Sequence, residues 1–179
     1  MSGSETQAAG DARTAPVAVW QILEKLKGQN LIDWRMADVM SKHGFPGSVS
    51  LSVALCDHIP EVVDDAAKRG WEFFSHGIYN TRYSYGMDEA QERAIIEDSI
   101  ATVQRATGQR IRGWLAPALT HTPRTLDLIA EYGLDYTCDL YHDDQPFPLP
   151  VRSGRLLSIP YSVDINDVIL HRRAEEIGD

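Results

Sequence analysis

Apolar positions along the chain change their spacing several times, and each change marks a predicted element. Val17, Trp20, Ile22, Leu23 and Leu26 recur at helical spacing, with Gly28 behind them as a stop. A second helical stretch is predicted from Asp33 to His43, closed by Gly44. The run VSLSVAL, Val49 to Leu55, then reads as a buried strand. Pro60 sits where the first turn of a following helix tolerates it, and that helix continues through EVVDDAAKR to Gly70. WEFFS is the next strand. Asp88 opens a long helix, because Gln91 three positions on completes a pair that satisfies free N–H groups, and Gly108 ends it after Thr107. IRGWLA predicts a third strand, and Thr122-Pro123 gives the helix through LDLIAEY an oxygen cap and a preset φ before Gly133. DYTCDL and RLLSIPYS predict two further strands, and a helix is expected from Asn166 onward. Strands separated by helices of this length pair in parallel, since a crossover is the short route that brings the next strand alongside. The expected fold class is α/β, with at least four parallel strands.

In such a fold the loops after the strands gather on one rim, so residues far apart in sequence converge there. The residues at these positions carry much chemistry. After WEFFS come His76, Asn80, Arg82 and Tyr83; after RGWLA come Pro117 and His121; after YTCDL come Asp139, His142, Asp143, Asp144 and Gln145; after LLSIP comes Tyr161. His76 leads, because it directly follows a buried strand and has Gly77 behind it to turn the backbone. It could bind a metal or move protons. Its i,i+4 partner is Asn80, a weak oxygen ligand. Asp139, Asp143 and Asp144 could orient a substrate amide, take a proton or ligate a metal; equally, they could form an acidic turn before the Pro-rich PFPLP.

Composition narrows the partners. The chain has 179 residues, 43% hydrophobic and 24% charged, which is enough for one domain with a sizeable core. Residues 1–16 are small, polar and unpatterned, so they are expected to be a disordered tail, and 17–179 to be the folded domain. A formal charge of −9 argues against a nucleic-acid or anionic-membrane surface and favours a small or neutral substrate. Cys56 and Cys138 read as small buried hydrophobes rather than a disulfide or zinc framework. The N-terminus lacks the pattern of a signal peptide, and no run approaches the ~20 apolar residues of a membrane span, so a cytoplasmic location is expected.

Taken together, GWEFFSHGIYNTRY, a long helix ending ATGQR, RGWLAPALTHTPRTLDLIAEYGLDYTCD and YHDDQPFPL resemble the polysaccharide deacetylase superfamily over residues 34–167. The resemblance implies a distorted, here partial, (β/α) barrel. The His-Gly pair and the run from Asp139 to Phe147 are most similar to the branch of allantoinase-like and cyclic-imide-hydrolase-like enzymes, which open ring amides. By this resemblance His76 corresponds to the first histidine of a His-x-x-x-His metal pair, and Asn80 stands where the second falls. A divalent metal such as zinc is implied, with metal-independent action as the alternative. The family's initial strand with paired aspartates and its final Leu-His-Pro-like element have no counterpart, and Leu115 stands where an arginine is usual. The chain therefore looks like the middle of such a domain.

Two readings follow. In one the chain hydrolyses linear or cyclic amides of small or sugar-derived molecules, with Asp139 or Asp144 accepting a proton from water and Asn80, Arg82, Tyr83, Pro117, Asp143 and Tyr161 contacting substrate. In the other it is a non-catalytic remnant or binding subunit of the same fold. An open parallel sheet has exposed edges, which a homo-oligomer or the helix around Trp20 is expected to cover.

Overall fold

The computed structural model describes residues 32–161. The expected tail, the helix around Trp20 and the helix from Asn166 lie outside the described residues. The chain divides into two units between Gly47 and Ser48. In the first, α1 spans Ile32–Lys42, within one residue of the predicted bounds, and Gly44 behind it takes a left-handed φ of 69°.

The second unit carries β1 (Ser48–Leu51), α2 (Leu55–His58), α3 (Pro60–Lys68), β2 (Glu72–Ser75), α4 (Glu89–Thr107), β3 (Gly113–Trp114), α5 (Thr125–Glu131), β4 (Tyr136–Thr137), β5 (Phe147–Pro148) and β6 (Leu157–Ser158). A 3₁₀ turn over Pro117–Leu119 follows β3. The strands form one sheet in the order β1-β2-β3-β4-β6-β5. Every pair from β1 through β4 to β6 is parallel, and β5 lies antiparallel on β6. The α/β expectation and its parallel strands hold.

The strands predicted in IRGWLA, DYTCDL and RLLSIPYS are shorter than expected, two residues each, and two further elements depart from expectation. The apolar run from Val49 stops being strand at Leu51 rather than Leu55. Val53 N–H donates to Gly77 O and Ala54 N–H to Ile78 O, so the backbone is drawn past the end of β2, and Leu55 opens α2. A short apolar run is compatible with strand or helix, and contacts far away in sequence decide between them. The prolines around Phe147 hid β5. Pro148 is tolerated there because β5 is an edge strand.

The long helix forms where capping predicts it. Asp88 accepts Gln91 N–H at 2.8 Å, the Gln91 side chain accepts Asp88 N–H at 3.0 Å, and Gly108 closes the helix at φ 71°. Its buried face, with Ile96, Ser99, Thr102 and Val103, belongs to a core that also holds Phe73, Ile111, Trp114, Ile129, Leu134 and Leu156. Ser75 at the end of β2 donates to Ser99 at 3.2 Å inside that core. Gly113 in β3 is required by a close approach, since an added Cβ would lie 2.1 Å from the Tyr136 ring, which Glu72 holds through its hydroxyl.

A candidate active site at the ends of three neighbouring strands

β2, β3 and β4 lie side by side, and their chains remain paired as they leave the sheet. His76 N–H donates to Leu51 O at 2.8 Å, Leu115 N–H to Ser75 O at 2.8 Å and Cys138 N–H to Trp114 O at 2.9 Å. This pairing carries His76, Ala116 and Asp139 to one rim, with the β3 segment between the other two.

That central segment grips both neighbours. His76 Nδ1 lies 2.8 Å from Leu115 O, and its Nε2 lies 2.9 Å from the Asn80 side-chain amide. A carbonyl oxygen only accepts, so Nδ1 carries a proton. In the neutral ring Nε2 is then the acceptor, served by the N–H end of the amide; in the imidazolium the oxygen end serves it. Gly77 takes φ 68°, and an added Cβ would approach the Pro117 ring to 3.1 Å. Pro117, itself buried, packs closely against this glycine, whose positive φ also disfavours a side chain there.

Asp139 is 3% exposed. Its Oδ1 accepts Ala116 N–H at 2.6 Å, and its own N–H donates to Thr137 Oγ1 at 3.3 Å. Oδ2 is buried without a hydrogen-bond partner among the described residues. Burial pushes the carboxyl up to about 6, opposed by the Ala116 N–H, the charge of His121, the Thr137 hydroxyl and the charge of His76. A carboxyl with one oxygen fixed, one without a partner among the described residues and a titration point near neutrality is suited to proton transfer.

The segment after Ala116 is strained. Ala118 and Leu119 both have positive φ, 51° and 57°, although neither is glycine. Leu119 N–H donates to Ala116 O at 2.8 Å, and Thr120 donates its hydroxyl to Pro117 O at 2.8 Å while accepting Ser84 N–H at 3.1 Å. His121 is exposed, with Nδ1 3.2 Å from Leu119 O. Below this segment lies Glu92, 4% exposed. It accepts the hydroxyls of Thr122 and Thr125, each at 2.7 Å, and Arg124 Nη2 at 2.9 Å. Helix α5 begins at Thr125 rather than at the predicted Thr122 cap; its N-cap is Arg124 without a side-chain cap, and the Thr122 hydroxyl accepts Arg124 N–H at 3.1 Å in the turn before it. Glu92 was missed in the sequence. Its signal is position alone: it lies four residues before Ile96 on the buried face of α4, where a carboxylate needs partners.

The other predicted residues belong to the segments that follow β2, β4 and β6. Asp143 is exposed, and its Oδ1 accepts the N–H of Asp144 at 2.7 Å and of Gln145 at 3.3 Å, which holds its carboxyl below the usual range; it shapes the acidic turn. Asp144, Arg82 and Tyr83 are exposed. Tyr161 pairs with Tyr141 at 6.1 Å between ring centroids, and His142 sits edge-on to Phe147 at 4.6 Å. Tyr141, also missed in the sequence, has its hydroxyl pushed up by burial, then by Tyr161 and Asp139.

A metal fits poorly among these side chains. No group of three His, Cys, Asp or Glu among the described residues could hold an ion. His76 has Leu115 O at one nitrogen and Asn80 at the other, and an amide oxygen is a weak ligand. Nor is any helix among the described residues long and apolar enough to cross a membrane.

Comparison with known proteins agrees with the fold. The solved structure of Puue allantoinase is 32% identical, with TM-score 0.66 over 75% of this chain and 44% of its own. A probable polysaccharide deacetylase from Pseudomonas aeruginosa PAO1 is 33% identical, with TM-score 0.67 over 75% of this chain and 45% of its own. A polysaccharide deacetylase homologue from Mycobacterium smegmatis gives 28% identity and TM-score 0.70 over 75% and 47%. The chain thus spans a little under half the length of each. No curated protein matches it by sequence. The family signature described as polysaccharide deacetylase matches residues 22–137, well over half of the sequence. The chain belongs to the polysaccharide deacetylase family.

Proposed function

We propose that this protein hydrolyses a carbon–nitrogen bond other than a peptide bond, in a linear or cyclic amide of a small or sugar-derived molecule, with Asp139 as the proton acceptor. One observation carries the reading: a carboxyl group buried at the end of a central strand, held through Oδ1 by Ala116 N–H and unpartnered at Oδ2. Family membership and the likeness to an allantoinase support the choice of bond.

Above about pH 6 the Asp139 carboxyl is ionised, and Oδ2 takes a proton from water as the water oxygen bonds to the amide carbonyl carbon. The Ala116 N–H keeps the carboxylate from turning away. Asn80, oriented by His76, and Pro117 border the place where the amide would lie. Arg82, Tyr83 and Tyr161 are the further contacts for the rest of the substrate. Asp144 is the second candidate base, and it is exposed to solvent.

A second reading, ligand binding without turnover, draws on the His76–Asn80 contact, which occupies the imidazole nitrogen facing away from Leu115. Hydrolysis of allantoin, a cyclic imide and an N-acetyl sugar separates the two. Asp139→Asn is expected to lower turnover by about 10²- to 10⁴-fold, and Asp144→Asn to leave it within about threefold. Calorimetric binding with no turnover of any of the three would replace the hydrolase reading by the second.

A further inference from the structure

Hydrolysis by a base alone leaves the departing nitrogen without a proton, and an amide nitrogen is a poor leaving group as an anion. Taking the hydrolase reading as its basis, we propose that His121 is a catalytic residue that delivers this proton from Nε2.

Among the described residues of the second unit the other imidazoles are poorly placed. His76 has both nitrogens engaged, His142 is packed against Phe147, and His58 faces the Tyr79 hydroxyl at 3.4 Å. His121 differs. Its Nδ1 faces Leu119 O at 3.2 Å and donates to it, which leaves Nε2 to give or take a proton, and the ring is exposed. The segment that bears it is the one whose Ala116 N–H grips Asp139. Two consecutive positive-φ residues turn the chain between Ala116 and His121, and ties to Pro117, Ser84 and Glu92 hold that conformation. Strain of this kind persists where surrounding contacts over-determine it, and it clusters at functional sites. His121 is also close enough for its charge to act on the Asp139 carboxylate. The acid is thus carried on the braced turn whose Ala116 N–H holds the base.

The step balances. Water's oxygen bonds to the carbonyl carbon and one water proton passes to Asp139. The carbon–nitrogen bond then breaks, its electron pair stays on nitrogen, and the imidazolium of His121 gives that nitrogen the Nε2 proton. His121 is left neutral with its proton on Nδ1, and proton exchange with solvent restores both groups.

The test compares two substrates in the wild-type protein and in His121→Gln and His121→Ala. One is a ring amide or N-acetyl sugar, whose leaving nitrogen needs a proton. The other is p-nitrophenyl acetate, whose leaving group departs without one. The expected result is a loss of about 10²- to 10⁴-fold on the amide with p-nitrophenyl acetate turnover within about threefold, in variants whose thermal unfolding matches the wild type. Unchanged amide turnover would overturn the role of His121 while leaving Asp139 as base. Equal losses on both substrates would show that His121 acts only through structure. Absence of turnover by the wild type on both would remove the hydrolase reading itself, and the His121 role with it.

Discussion

Asp139→Asn is expected to stabilise the folded protein at pH 8 relative to its effect at pH 4, even as it lowers turnover. The unfolded carboxyl titrates near 3.9, whereas burial pushes the folded one up to about 6. Below the unfolded value the group is protonated in both states, and the neutral buried carboxyl contributes its full share of stability. That share is lost as the pH rises through about 6, because the folded state must then hold a desolvated charge. The gap between the two titration points corresponds to about 3 kcal/mol. Asparagine keeps an oxygen for Ala116 N–H and removes the charge, but it buries an amide N–H₂ at the place of the unpartnered Oδ2. The expected outcome is that ΔΔG between variant and wild type shifts in the variant's favour by about 2 to 3 kcal/mol from pH 4 to pH 8. Urea denaturation at the two pH values measures it. A shift of zero, or one in the opposite direction, would mean that Asp139 carries no raised titration point.

The second large effect lies at Glu92. Glu92→Ala would leave the Thr122 and Thr125 hydroxyls and the Arg124 guanidinium without their shared acceptor, next to an Arg124 Nε that is buried without a partner among the described residues. Removing one member of a buried charged network costs about 3 to 5 kcal/mol. Because Arg124 is partly exposed, the lower end is expected here, about 3 kcal/mol. Glu92→Gln retains an acceptor oxygen and is expected to cost about half as much. Chemical denaturation gives both values, and amide exchange at Ser84 and Thr120 should quicken in both variants because the braced turn loses its anchor. A change below about 0.5 kcal/mol for Glu92→Ala would show that the network contributes nothing to the fold.

What could be read in the sequence divides by the range of the interaction. The caps of α4 were legible because Asp88 and Gln91 meet each other three residues apart, and Gly108 requires only its own φ. The end of β1 was not, because Val53 and Ala54 leave the strand to bond Gly77 and Ile78. The site shows the same division. His76 and Asp139 could be placed on a common rim, since parallel topology forces the residues after adjacent strands together. The difference between Asp139 and Asp143 could not be read, although they are four positions apart in one polar stretch. Asp139 is buried because the pairing of β3 with β4 sets it against Ala116, while Asp143 turns back on its own backbone. Glu92 was silent for a related reason, its partners lying about thirty residues further along the chain.

The central claim, that a buried Asp139 is the proton acceptor of an amide hydrolase, is tested most directly by the pH dependence of kcat/KM for amide hydrolysis. The free-enzyme base governs that profile. The account predicts a rise with pH whose inflection lies near 6, the point to which burial has moved the Asp139 carboxyl, and the loss of that inflection in the residual activity of Asp139→Asn. An inflection near 4, as for an exposed carboxylate, or one that survives the substitution, would contradict it and move the base elsewhere on the rim.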